Sequence, residues 1–233
     1  MIFGLVLAGG IGRRMGKEIP KQYLKIGGKS IIAHTIECFS KNENFDKVIV
    51  LTPADWIDYT KDIIESDIDV TGDIVVIEGG ELRNDTIMNG IKYIEENYGL
   101  DDETLLITHD AVRPFVTKEI IDANIEALKN YSSCDTVVPS TDTIVRSEDG
   151  EYIVEVPNRA HLYQGQTPQS FRAKKFKELY TGLSPEEQGI LTDAIKVFVL
   201  AGEKVGLVDG DTTNIKITYP SDLLIAKSIL DGE

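Results

Sequence analysis

The chain has 233 residues, 42% of them hydrophobic, and carries 39 acidic against 24 basic side chains for a formal net charge of −15. That size and apolar content suit one large α/β domain or two small ones. The acidic balance argues against general binding of nucleic acid or of anionic membranes, so the expected partner is a small molecule. The two cysteines, Cys38 and Cys134, sit far apart in apolar segments without metal-ligand spacing and read as small core residues. The first apolar run is too short to span a bilayer and has neither a basic leader nor a cleavage site, which points to the cytoplasm.

The chain opens on IFGLVLAGGIGRRMGKEIPKQ (2–22). An apolar, strand-forming run breaks at Gly9, Gly10 and Gly12, and the cations Arg13, Arg14, Lys17 and Lys21 follow with only Glu18 against them. Glycines let backbone N–H groups approach a ligand closely, and such groups beside lysine and arginine suit phosphate oxygens. The loop matches neither common phosphate fingerprint. In G-x-G-x-x-G, read from Gly10 and Gly12, the third glycine falls on Met15; in G-x-x-x-x-G-K-[ST], read back from Gly16-Lys17, the first glycine falls on Ile11 and the hydroxyl on Glu18.

Beyond the loop, Ser30 is placed to cap a helix whose Ile31, Ile32, Ile36 and Phe39 fall near a 3.6-residue period. A strand is predicted over 46–52, and Pro53 suits the first turn of a helix running to about Glu65. A strand follows at 73–80, a helix over 83–98 closed by Gly99, a strand over 103–110, a helix from about Lys118 and a strand at 136–140. Nearly continuous apolar strands alternating with helices indicate a mostly parallel sheet covered on both faces. At 141–156 the alternation breaks into two extended runs joined across Glu148-Asp149-Gly150, a hairpin pattern that serves either as an edge elaboration or as an arm reaching a neighbour. Then come a loop over 163–171, a helix near 172–181, a helix opened by Thr192-Asp193, extended runs at 203–210 and 213–218, and a last helix started by Pro220.

In open parallel sheets, ligands bind outside the carboxyl ends of the strands. There the first strand delivers the cationic loop, the 73–80 strand delivers Gly79, Gly80, Glu81 and Arg83, and the 103–110 strand delivers His109, Asp110 and Arg113. Asp110 is the candidate metal contact, since one carboxylate beside substrate phosphates commonly holds Mg²⁺; its alternative is to cap the following turn. For His109 a hydrogen-bonded structural role ranks above that of general base, and Asp142 and Asp211 read as turn formers before metal or substrate contacts. No Ser-His-Asp or Cys-His set stands out, which disfavours covalent catalysis. A phosphate monoester acting as nucleophile needs no enzymatic base, because it is largely dianionic at neutral pH; it needs cations, metal and alignment.

With those residues in view, the chain resembles the sugar-phosphate cytidylyltransferases related to 2-C-methyl-D-erythritol 4-phosphate cytidylyltransferase. LAGGIGRRMG, PKQYL, EGGELRNDTI, HDAVRPF, QGQTPQSF, LTDA and NIKIT stand in the family's order over almost the whole chain. HDAVRPF, YQGQTPQSF and LTDAIK look more like the ribitol-5-phosphate branch, which serves wall and capsule polymer synthesis, than the methylerythritol branch with its HDAARP and TDEA. The resemblance implies a single Rossmann-like nucleotidyltransferase domain over 1–233, with a β-hairpin arm at about 140–162. It implies transfer of CMP from CTP to an alditol or sugar phosphate, with Mg²⁺ held in part by Asp110. Leu7, Ala8, Gly9, Gly10, Gly80, Glu81, Leu82, Arg83, Asn84, Asp85 and Thr86 would line the CTP site, and Arg14 and Lys21 would stabilise charge at the α-phosphate. Lys216, Arg159, Arg113, Thr143, Thr167 and Thr192 would position the acceptor, Arg159 from an arm that crosses to the partner subunit of a homodimer. The family context further implies a partner reductase that supplies ribitol 5-phosphate. A regulatory module that binds nucleotide without turnover is the alternative from another class, and transition-state cations speak against it.

Overall fold

In the computed structural model, residues 1–10, 19–69 and 72–232 are described, and one seven-stranded sheet organises them. Strand β1 (Ile2–Leu7) sends Phe3, Leu5 and Leu7 into one apolar core and Val6 into another on the opposite face, so every position after the first is buried. This two-sided burial is why the run reads as continuously apolar rather than alternating. After a 3₁₀ turn at Lys21–Tyr23, β2 (Lys25–Ile26) and β3 (Lys29–Ser30) make a small antiparallel pair around Gly27 and Gly28, both at positive φ.

The parallel half follows: α1 (Ile31–Ser40), β4 (Lys47–Thr52), α2 (Ile57–Asp67), β5 (Ile74–Glu78), α3 (Arg83–Tyr98) and β6 (Leu105–Asp110). Gly99, at φ 80°, ends α3, a conformation that glycine adopts without steric cost. Then come α4 (Lys118–Ala127), β7 (Ser133–Pro139), β8 (Tyr163–Arg172), α5 (Ala173–Thr181), α6 (Pro185–Gly189), α7 (Ile195–Leu200), β9 (Val205–Asp209) and α8 (Pro220–Asp231). Strand order is β5-β4-β1-β6-β8-β7-β9, and β8 alone runs against the others. Helices α1, α2 and α4 pack on one face, α3, α5 and α7 on the other. A third cluster joins Leu24, Val112, Ile217 and Ala226 of α8, tying the segments that carry Lys21 and Lys216 to the end of β6.

The mostly parallel sheet covered on both faces is as expected, and four local expectations change. The 163–171 segment is not a loop but most of β8, wedged between β6 and β7. Its polar composition hid it: the Thr108 hydroxyl donates to the Gln169 carbonyl, Ser170 donates to Asn124 Oδ1, and Thr136 donates to the Pro168 carbonyl, so a buried strand carries loop-like residues. The 141–156 arm is closed by a single antiparallel bridge, Arg146 with Glu155, rather than by two full strands; Asp149 accepts the N–H groups of Glu151 and Tyr152 at its turn. Residues 213–218 form no strand and are held by bonds such as that from the Ile217 N–H to the Val112 carbonyl (2.9 Å). Ser30 stands at the start of α1, but its hydroxyl makes no capping bond.

Candidate active site

The carboxyl ends of β1, β5 and β6 open into a cleft of about 280 Å³. Leu7, Ala8, Gly9 and Gly10 form one wall, Gly80, Glu81, Leu82, Arg83 and Thr86 the other, and Lys21, Asp110 and Lys216 lie between, with Gln22 and Val112. Two glycines explain how main chain comes to line it. A Cβ on Gly80 would stand 2.5 Å from Cβ of Asp85, so only glycine fits against the start of α3. A Cβ on Gly10 would meet nothing of the protein within 4 Å, so the open backbone there suits close approach of a ligand. Thr86 locks the second wall by accepting the Gly80 N–H (3.0 Å) and donating to the Leu82 carbonyl (3.0 Å). The N-terminus of α3, with its positive dipole end, faces this space.

Asn84 and Asp85 stand behind the wall. Asn84 donates to the Asp193 carbonyl (3.3 Å), and Asp85 accepts the Leu82 N–H and the Tyr180 hydroxyl. Gln22 was missed as a lining residue although PKQYL contains it; its amide donates to the Ala8 carbonyl (2.7 Å) and so holds the first wall. Arg14, Arg13 and Lys17 lie outside the described residues. Lys21 is 9% exposed, on the 3₁₀ turn beside the cleft.

Asp110 is the electrostatic centre. Its Oδ2 takes Lys216 Nζ at 2.7 Å and its Oδ1 faces Arg83 Nε at 3.4 Å. Burial alone would raise this carboxyl, but Arg83 and Lys216 hold it well below the usual carboxylate range, so it stays ionised. Arg113, 9% exposed, donates to the Asn214 carbonyl (2.8 Å), which braces the segment carrying Lys216. Burial lowers its pKa, against the pull of Asp110.

Behind Asp110, Thr167 accepts the Asp110 N–H (3.2 Å); the Arg113 carbonyl can only accept, so His109 donates Nε2–H to it (3.1 Å) and its Nδ1 accepts the Thr167 hydroxyl (2.9 Å). Burial pushes His109 down to about 4, which keeps it neutral and fits the structural role ranked first for it. Asp211 caps its own turn through Thr213, as a turn former does. Cys38 and Cys134 are free, and burial pushes their thiols up to about 11 and about 12, so both are poor nucleophiles. The remaining three expected acceptor residues do not line this cleft. Arg159 donates to the Thr141 carbonyl (2.7 Å) at the base of the arm, Thr143 is exposed on the arm, and Thr192 is exposed before α7.

Cationic side chains gathered around one ionised carboxylate, beside two main-chain walls, suit a nucleoside triphosphate and a second phosphate. Known proteins agree with that geometry. The chain is 46% identical over 232 residues to a ribitol-5-phosphate cytidylyltransferase of Lactiplantibacillus plantarum, covering 99% of each. It superposes on a 4-diphosphocytidyl-2C-methyl-D-erythritol synthase of Anaerococcus prevotii with a TM-score of 0.83 at 30% identity, covering 99% of this chain and 96% of that one. It also superposes on the 2-C-methyl-D-erythritol 4-phosphate cytidylyltransferase of Francisella tularensis with a TM-score of 0.79 at 27% identity, covering 97% and 98%. Residues 2–232 match the family described as IspD, 2-C-methyl-D-erythritol 4-phosphate cytidylyltransferase, and the chain belongs to that cytidylyltransferase family.

Proposed function

We propose that the protein transfers CMP from CTP to D-ribitol 5-phosphate, giving CDP-ribitol and pyrophosphate, in the cytoplasm and in the service of teichoic acid synthesis. The observation that carries the acceptor is the 46% identity over the full length to a ribitol-5-phosphate cytidylyltransferase, against 30% and 27% to the two methylerythritol-phosphate enzymes compared above. Among the described residues no helix is long and apolar enough to cross a membrane.

In this reading the walls at 7–10 and 80–86 hold the nucleotide and Lys216 meets the acceptor phosphate. A non-bridging oxygen of that phosphate attacks the α-phosphorus. The bond to the bridging oxygen breaks, and pyrophosphate leaves with the electron pair. No side chain has to remove a proton, since the nucleophile is already ionised, and this agrees with a neutral, buried His109. Lys21 meets the negative charge that builds at the α-phosphate. Asp110 suits Mg²⁺: the metal commonly takes one or two carboxylates and completes its shell with substrate phosphates and water, and Asp110 is an ionised carboxylate lining the cleft. Bound there, Mg²⁺ would neutralise triphosphate charge.

The exposed apolar side chains of the arm, Tyr152, Ile153 and Val156 among them, support a homodimer in which Arg159 serves the neighbour's site. A reductase that makes ribitol 5-phosphate is the further partner in this reading. Pyrophosphate release with CTP, Mg²⁺ and each acceptor in parallel tests the assignment. Faster turnover of ribitol 5-phosphate is expected, and faster turnover of methylerythritol phosphate would overturn it.

A further inference from the structure

Asp135 plays no part in the chemistry above, yet it is a charged residue set inside the sheet. It lies in register with Gln169 of β8, which in turn pairs with Thr108 of β6. Asp110 follows two residues later on β6 and so faces the same side of the sheet, one pleat nearer the cleft. Gln169 Nε2 donates to Asp135 Oδ1 at 3.1 Å, and its Oε1 accepts the Ala194 N–H ahead of α7, which puts Asp135 on the face covered by α3 and α7. Among the described residues nothing donates to Oδ2.

Arg83 and Asn84, at the start of α3, carry unpartnered buried atoms. Arg83, which lines the cleft, spends Nε on Asp110 and leaves Nη1 and Nη2 buried without partners. It is close enough to act on the charge of Asp135 but forms no ion pair with it. Asn84, 2% exposed, gives Nδ2 to the Asp193 carbonyl and leaves Oδ1 unpartnered. Burial pushes the Asp135 carboxyl up to about 6, against the bond from Gln169. Buried donors and acceptors left without partners, as on Arg83 and Asn84, are costly unless something completes them. An alcohol can, since each hydroxyl donates once and accepts twice. It donates to Asp135 Oδ2 while accepting from the guanidinium, whereas a C-methyl branch offers neither bond.

We infer that Asp135, Gln169, Asn84 and the guanidinium of Arg83 form a hydroxyl-binding subsite that reads the alditol chain of the acceptor, beside the phosphate met by Lys216. This rests on the polyol-phosphate acceptor proposed above. The subsite sits under the Thr192-Asp193 segment, so the acceptor chain would lie between the cleft and the start of α7.

The test uses the full-length protein and its Asp135→Asn and Asp135→Leu variants, with CTP and either D-ribitol 5-phosphate or its single-deoxy analogues as acceptor. Asp135→Asn keeps the shape and an acceptor for Gln169, so it separates loss of recognition from loss of folding. In both variants the KM for ribitol 5-phosphate rises about tenfold or more while the KM for CTP stays put, and at least one deoxy analogue loses nothing further on substitution. An unchanged acceptor KM in Asp135→Asn, or an equal loss with every deoxy analogue, overturns the subsite. Should the unaltered protein ignore ribitol 5-phosphate and use methylerythritol phosphate, the acceptor assignment fails separately. The subsite then stands if the KM for that acceptor rises in Asp135→Asn, and falls if it does not.

Discussion

The two sides of the cleft are built from different materials. On the parallel β5-β4-β1-β6 side the walls are main chain, 7–10 leaving β1 and 80–86 entering α3, shaped by glycines and a helix terminus. On the β8-β7-β9 side the groups are side chains from distant elements: Asp135 from β7, Gln169 from β8, Lys216 from the loop before α8, and Arg83 reaching across from α3. On the first side the backbone groups are oriented by the path of the chain before any ligand arrives. Where the two sides meet, the Arg83 guanidinium keeps buried nitrogens without partners, so its energetics depend on what fills the space beside it. In the proposed function, nucleotide binding and acceptor choice are then separable.

The largest expected effect falls on the shared centre. Lys21→Ala lowers kcat about a hundredfold, the scale for losing one preorganised charge stabiliser, and near-unaltered pyrophosphate release would remove Lys21 from the mechanism. Mixing Lys21→Ala with Arg159→Ala subunits restores activity if the arm crosses the dimer, and no recovery in proven heterodimers places Arg159 in its own subunit's site.

On the main-chain side, Gly80→Ala drives a Cβ to within 2.5 Å of Asp85 and raises the dissociation constant of CTP about tenfold, measured by calorimetry. The KM for the acceptor, extrapolated to saturating CTP, stays unchanged. If both rise together, the separation of the two sides is wrong.

The smallest effect is one of stability. The folded-state pKa of Asp135, about 6, lies above its ordinary value of 3.8, so the native state favours the protonated carboxyl. Its contribution is fully present below about pH 4 and is lost as pH rises through about 6. Asp135→Asn escapes that loss, so its melting temperature at pH 7.5 exceeds that of the unaltered protein by roughly 3 °C, and the gain vanishes towards pH 4. A gain that is the same at both pH values would show that the Asp135 charge is not responsible. Greater stability with weaker acceptor binding is the trade-off expected of a site residue.

Much of this was legible in the sequence for a physical reason. Helix α3 and its closing Gly99 stand over 83–98 as expected, because apolar spacing and a positive-φ glycine are local signals. The glycine walls and Asp110 were legible too, since strand ends in a parallel sheet converge on one edge. Strand β8 was not, because its Gln166, Gln169 and Ser170 find their partners on other elements. Arg113 and Thr167, expected to position the acceptor, bond to the Asn214 carbonyl and to His109, partners that no pattern of residues carries.

By itself the sequence determined the parallel α/β architecture and the glycine-shaped main-chain walls of the cleft, because each depends on periodicity or glycine within a short stretch. Only the tertiary structure decided which charges meet. Lys216 and Arg83 lie 106 and 27 residues from Asp110 in the chain, yet both stand against its carboxylate. Asp135, unremarkable in SSCDTVVPS, becomes a candidate acceptor reader because folding half-buries it within electrostatic reach of the Arg83 guanidinium, and burial is a property of the assembled sheet rather than of any segment.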